Sequence, residues 1–174
     1  MNKNLTLEQQ ALLTGLNAGS LNTVGKVDST KIGAFSNTGG FAKKRPAISF
    51  KGAFEINYFF TPSYKAESGM TLYIWNEDTY TVAAKLTVKN ADKVMSLSLQ
   101  EDGSYAGASD EIAAKYLDKT VYVAAVYTSG GVTYCSGVLP YSIAAYCQNP
   151  PFGVEDLATA AAIYGCTAKQ YFGV

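Results

Sequence analysis

A chain of 174 residues is long enough to bury a proper core, and 48% hydrophobic against 16% charged residues excludes disorder for most of its length. Fourteen basic and fourteen acidic side chains cancel, which leaves nucleic-acid binding without electrostatic support. Histidine is absent, removing the commonest general base and the commonest transition-metal ligand. With thirteen tyrosines and eight phenylalanines, the aromatic load suits a β-sandwich or a surface that binds by stacking.

The chain opens on Met1-Asn2-Lys3-Asn4 and a polar, amphipathic stretch, unlike the apolar core of a secretion signal. The expectation is a chain made in the cytosol, or an excised piece of a longer exported one. Leu5 to Leu16 reads as a short helix: Thr6 and Gln9 have capping-box spacing, and Leu5, Leu12 and Leu16 share a face with Leu13 at its edge. Asn17 to Gly40 is small, polar and dotted with glycine, the composition of a long arm. Val24, Val27, Ile32 and Phe35 are its isolated apolar residues, and they are the candidates for pinning it to a neighbouring subunit.

Lys43-Lys44-Arg45 is the one basic cluster, read as a solvated approach to a strand. Two strands follow from Ala47 to Phe60, broken at Gly52. In the second, Phe54, Ile56, Tyr58 and Phe60 alternate with Glu55, Asn57 and Phe59, which places the first set on the core face. Met70 to Trp75 is the next strand, turning out through Asn76 to Tyr80. Lys85 to Val88 and Val94 to Leu99 continue the pattern, the latter with Met95, Leu97 and Leu99 against Ser96 and Ser98. Glu101-Asp102-Gly103 signals a turn, and Asp110 to Tyr116 has the composition of one or two helical turns.

Leu117 to Ser142 is the stretch the rest is organised around. Val121 to Tyr127 is an unbroken run of strand-favouring apolar residues, Thr128-Ser129-Gly130-Gly131 supplies a tight turn, and Val132 to Leu139 returns, ended by Pro140. A strand apolar on both faces must be covered on both, so this hairpin is expected at the centre of a sheet. Beyond it the period changes to that of helices. Tyr141 to Cys147 is a short one stopped at Asn149-Pro150-Pro151, and Val154 to Phe172 a longer one. Glu155 and Asp156 in its first turn and Lys169 in its last suit the helix dipole. Leu157, Ala161, Tyr164, Ala168 and Tyr171 make its packing stripe. Gly165, in mid-helix, costs roughly 1 kcal/mol relative to alanine, so something is expected against its bare backbone.

The chemistry-bearing residues are sparse. Cys135, Cys147 and Cys166 lack metal-site spacing and read as buried thiols, with one disulfide open to the chain in an oxidising compartment. Adjacent carboxylates at Glu77/Asp78, Glu101/Asp102, Asp110/Glu111 and Glu155/Asp156 sit where turns and helix starts want acids, whereas a glycosidase needs two acids facing across a cleft. Asn76, Glu77 and Asp78 cluster oxygen ligands without the loop pattern of an EF-hand calcium site. Gly39-Gly40 and Gly130-Gly131 lack the Lys-Ser/Thr of a phosphate loop. Trp75 beside Tyr73 and Tyr80 is the candidate platform for stacking a sugar ring, against the plainer reading of a tryptophan packed in the core. No catalytic, metal-binding or cofactor-binding residue is expected, and no cofactor.

Leu117-x-x-Thr120-x-Tyr122 ahead of a glycine hairpin resembles the tyrosine corner of fibronectin type III and immunoglobulin-like sandwiches. ISFKGAFEINYFFTPS, MTLYIWNEDTY, IAAKYLDKTVYVAAVYTSGGVTYCSGVLPYSIAAYC and AAAIYGCTAKQYF, taken in order, resemble a module recurring in surface-associated proteins of gut Firmicutes and in their prophage-borne genes. That resemblance implies a display or structural role and assigns no activity.

The expected fold is mainly β: an immunoglobulin or fibronectin type III-like sandwich over 43–140, an N-terminal helix and extended arm over 1–42, and C-terminal helices over 141–174. The expected role is a non-enzymatic structural or assembly module on an outer surface. It would be a phage virion decoration or fibre component, oligomeric or bound to other structural proteins of a virion or cell surface. The alternative is a glycan- or surface-polymer-binding module of a bacterial cell-surface protein. Neither nucleic acid nor membrane is an expected partner.

Overall fold

The computed structural model of the protein describes Leu7 and residues 39–50, 53–76 and 88–174. Within them two antiparallel sheets pack face to face. In the first sheet, β3 (Phe54–Pro62) is flanked on one side by β1 (Phe41–Lys43) and β2 (Ala47–Phe50). On its other side lie β7 (Tyr105–Ala108) and then β6 (Ser98–Leu99). In the second, β8 (Val121–Ser129) lies between β4 (Thr71–Asn76), which pairs on to β5 (Lys93–Ser96), and the two short strands β9 (Val132–Cys135) and β10 (Leu139–Tyr141). The β-sandwich expected from the sequence is therefore the fold. No described helix is long and apolar enough to cross a membrane.

Alternation decides which side chains meet. Phe54, Ile56, Tyr58 and Phe60 of β3 are all buried against Leu72 and Ile74 of β4 and Val123, Ala125 and Tyr127 of β8, as the period-two reading requires. The central hairpin also behaves as expected. Val121 to Tyr127 is buried residue by residue, and the strand turns back through Gly130 and Gly131 at φ +58° and +73°, the positive values of a two-residue hairpin turn. The far face of β8, carrying Tyr122, Ala124 and Val126, closes into a second cluster with Trp75, Cys135 and Val138.

The return arm is not one strand. Cys135 pairs with Val126 but Leu139 with Val123, so one extra residue bulges out of the ladder. Gly137 takes φ +73° there, while Ser136 keeps Ala125 satisfied by accepting its N–H on Oγ and donating its own N–H to the Ala125 carbonyl, both at 2.9 Å. Pro140 follows in β10, an edge strand, where a missing donor is tolerated.

Three further expectations are corrected. Val94 to Leu99 is two strands in different sheets: the chain crosses over at buried Leu97, so Leu99, expected beside it on the core face, is 64% exposed. Asp110 to Tyr116 makes a single 3-10 turn, Ala114–Tyr116, beginning beyond the Phe54–Ile112 bridge. Tyr141 belongs to β10, and the short helix α1 is Ile143–Gln148, capped by Ser142 Oγ accepting from the Ala145 N–H at 3.1 Å.

The long helix α2, Glu155–Phe172, lies where expected but is turned, so that of the expected stripe Ala161 is buried and Ala168 half-buried. Its buried residues are Ala158, Thr159, Ala161, Ala162, Gly165 and Cys166, whereas Leu157, Tyr164 and Tyr171 of the expected stripe are exposed. Close approach selects the small residues. A Cβ on Gly165 would lie 2.7 Å from Leu117 Cδ2, so Leu117 is what packs on the bare backbone. Leu117 also accepts the Ala144 N–H at 2.8 Å, and next to it Asp118 takes Lys169 Nζ of the last turn of α2 at 3.0 and 3.1 Å.

Candidate functional site

The sequence offered Tyr73, Trp75 and Tyr80 for stacking, against the plainer reading of a tryptophan packed in the core, and for Trp75 the structure has the plainer one. Trp75 pairs with Tyr122 in the β4–β8 ladder, is 0% exposed, and donates its indole N–H to Asn90 Oδ1 at 3.0 Å. A ring with no free face cannot receive a sugar. Half-buried Tyr73 stacks over it, centroids 6.2 Å apart, and so helps to close this face of the second sheet. Tyr80 and the arm residues Val24, Val27, Ile32 and Phe35 lie outside the described residues, as do Glu77 and Asp78. Among the described residues no three acids, cysteines or histidines gather as a metal set.

The outer face of the first sheet is built differently. Glu55, Asn57, Phe59 and Thr61 of β3 occupy the register opposite the core, beside Ser49 of β2 and Ala106 and Ala108 of β7, and all are half-buried. Phe59 is the aromatic ring in this otherwise polar and small row. Around it Lys44, Arg45, Gln100, Glu101, Asp102 and Ser104 rim an open depression of about 600 Å³. Two loops supply that rim. The β1–β2 link brings Lys44 over Phe59, with the Lys44 N–H donating to the Phe59 carbonyl at 3.3 Å, and the β6–β7 turn brings Gln100 to Ser104.

The rim is held by its own hydrogen bonds. Lys44 Nζ donates to Asp102 Oδ2, and Asp102 Oδ1 accepts from both the N–H and the hydroxyl of Ser104. These bonds, with Lys44 and Ser104 first, hold the Asp102 carboxyl well below the usual carboxylate range. Gln100 Nε2 donates to the Ser98 carbonyl at 2.9 Å, which leaves its side-chain oxygen directed away from that bond. Arg45 lies over the Tyr146 ring at 5.6 Å from the centroid, steadied by the aromatic face. Lys44 and Arg45 of the basic cluster are exposed, as a solvated approach to a strand requires, and they line this depression together with Gln100, Glu101, Asp102 and Ser104. The signal for it was in the alternation: a phenylalanine at a solvent-facing position, between Asn57 and Thr61.

A smaller space of about 90 Å³ opens at the other end of the sandwich, lined by residues including Ile74, Asp110, Glu111, Tyr116 and Lys119. Lys93 Nζ engages Asp110 there, and Glu111 is next in sequence, so the two acids are adjacent and not opposed across a cleft.

No protein-family profile matches the chain, and no curated protein does. Two solved structures resemble it distantly. The carbohydrate-binding module BhCBM56 is 13% identical with a TM-score of 0.39, over 57% of this chain and 97% of that one. The family-64 laminaripentaose-producing β-1,3-glucanase of Paenibacillus barengoltzii, complexed with laminarihexaose, is 10% identical with a TM-score of 0.38. That match spans 59% of this chain and 21% of the glucanase. Likeness at this level assigns no residue a role.

Proposed function

We propose that the protein is a non-catalytic module that binds a neutral glycan on the outer face of the first sheet, in the depression floored by Phe59. The observation that carries this reading is an apolar ring ringed by both hydrogen-bond donors and acceptors. A pyranose has the matching character, with an apolar C–H face to lay on the ring and equatorial hydroxyls to reach Arg45, Gln100, Glu101 and the Lys44–Asp102 pair. Two cationic and two anionic side chains line the depression, so charge gives no preference for an anionic polymer.

Catalysis is disfavoured by the same geometry. Hydrolysis of a glycoside needs an acid that holds a proton near neutral pH, and Asp102, kept ionised by Lys44 and Ser104, has none to give. The surface-display role expected from the sequence is retained in this form, as a rigid body that presents a binding face. Nothing among the described residues favours a virion part.

The test is binding to a panel of neutral and acidic polysaccharides, with Phe59→Ala as the paired variant. Retention of a neutral polysaccharide, insensitive to added salt, should fall about tenfold or more on losing roughly 1.4 kcal/mol of ring contact. Unchanged thermal stability would show that the sheet is intact. Failure of every polysaccharide to bind, or equal binding by Phe59→Ala, would overturn the proposal.

A further inference from the structure

Two cations rim the Phe59 depression, and they are not equivalent. Lys44 Nζ is engaged by Asp102, whereas among the described residues no acid takes the Arg45 guanidinium. Arg45 meets the face of the Tyr146 ring instead, 5.6 Å from its centroid. A cation held over a ring spends none of its hydrogen-bond donors there, so the N–H groups of the fork are left for another partner. The contact is fixed from both sides. Arg45 precedes Pro46, which confines its backbone to extended conformations and sets the direction in which its side chain leaves. Tyr146, on α1, is 5% exposed, and its N–H goes to the carbonyl of Ser142, the residue that caps the helix. Burial raises its phenol, and the Arg45 charge acts on it in the opposite sense.

We infer that Arg45, positioned by Tyr146, selects the sugar on the Phe59 face, its guanidinium fork taking two neighbouring free hydroxyls of a neutral glycan. This rests on the binding face proposed above and adds to it the residue that discriminates among neutral sugars. The parallel N–H donors that fit a carboxylate also fit the adjacent oxygens of a vicinal diol. Lys44 cannot do the same, being a point charge already committed to Asp102.

Tyr146 matters because it acts before the sugar arrives. A long side chain already held in place loses less freedom on binding, so more of each hydrogen bond appears as affinity. Gln100 and Glu101, also on the rim, supply acceptors for hydroxyl protons. A sugar carboxylate would meet repulsion at Glu101, which offsets its attraction to Arg45 and keeps the preference with neutral diols.

Affinity electrophoresis of the full chain through gels holding a neutral glucan, galactomannan or xylan tests this, with Phe59→Ala alongside. Arg45→Ala and Arg45→Lys, both at an exposed position, should each weaken retention about tenfold or more, since lysine keeps the charge and loses the fork. Tyr146→Leu should weaken it about two- to fivefold, the worth of a cation on a ring, and Tyr146→Phe should restore it. In an Arg45→Ala background Tyr146→Leu should add nothing. Without any sugar, the Arg45 Nε–H proton resonance should show the upfield shift of a nearby ring in the parent and in Tyr146→Phe, and lose it in Tyr146→Leu. If Tyr146→Leu does not fold, the two Arg45 variants and the parent resonance still decide. Parent-like retention by Arg45→Lys, a Tyr146→Leu loss that persists without Arg45, or an Arg45 resonance with no ring shift would overturn the inference. Retention that still depends on Phe59 would in those cases leave the binding face standing. Retention of no polysaccharide would remove the binding face and this inference with it.

Discussion

Gly165→Ala is the substitution whose sign is most informative about how α2 is attached. On an open helix face the change would gain about 1 kcal/mol, because alanine loses less backbone freedom than glycine. Here the new Cβ would sit 2.7 Å from Leu117 Cδ2, 3.1 Å from Leu117 Cβ and 3.2 Å from the Ala114 carbonyl oxygen. Rotating the leucine relieves the first contact. It cannot relieve the other two, because Leu117 is fully buried and its backbone is tied to Ala144. The helix must back away, and overpacking of this kind costs typically 1–3 kcal/mol. Set against the helix gain, a net loss of between about zero and 2 kcal/mol is expected. Urea unfolding followed by circular dichroism should show a lower midpoint at unchanged slope. In a Leu117→Ala background the 2.7 Å contact disappears while the Cβ and carbonyl contacts remain, so the same glycine replacement should lose part of its cost. A higher midpoint for Gly165→Ala in the parent chain would refute the close-approach argument.

Trp75→Ala should lose about 3–5 kcal/mol, the range for emptying a buried aromatic site, while the refolded fraction still binds glycan at Phe59. Parallel unfolding and binding titrations separate the two effects, and lost binding with stability intact would restore Trp75 as the platform. Alkaline pH should weaken the fold. Burial, reinforced by the neighbouring Cys166, pushes the Cys147 thiol up from 9.0 to about 12, and burial likewise raises the phenols of Tyr58, Tyr127 and Tyr146. The folded chain keeps protons that the unfolded chain releases. This contribution is therefore whole below about pH 9 and is lost progressively toward pH 12, at up to about 1.4 kcal/mol per pH unit for each such group. Chemical unfolding midpoints measured from pH 8 to 11 should fall, and a flat profile would contradict the burial of these groups.

Much of the sandwich was legible because its strands obey one rule at a time. β3 alternates cleanly and β8 is apolar throughout, so both could be read from residue type alone. β7 could not. Tyr-Ala-Gly-Ala has little strand propensity, and it pairs because bare Gly107 admits Leu97, arriving from the crossover, against its backbone. Leu99 was misplaced for a related reason, since alternation was carried through a residue at which the chain changes sheets. On α2 the large residues dominated the periodicity, although proximity to Leu117 required the small ones. Phe59 was recorded as off the core face, but its meaning depended on the loop carrying Gln100 to Ser104, distant in sequence from β3.

The two sheets use their outer faces in opposite ways, and this is what locates the proposed binding face. On the second sheet Trp75, Tyr122, Ala124 and Val126 are sealed by Val138, Cys135 and Tyr73, so that face contributes cohesion and offers nothing to a ligand. On the first sheet the outer row of Ser49, Asn57, Phe59, Ala106 and Ala108 is half-buried, and Asn57 Nδ2 donates to Ser49 Oγ at 2.7 Å across the β2–β3 pair. Such a row is too polar to need an apolar cover and too flat to hold a small molecule by enclosure. An extended polymer, gripped at one ring and along the row, suits it better. The stripe on α2 has the contrary character: aromatic and aliphatic side chains in a line, with few polar groups between them.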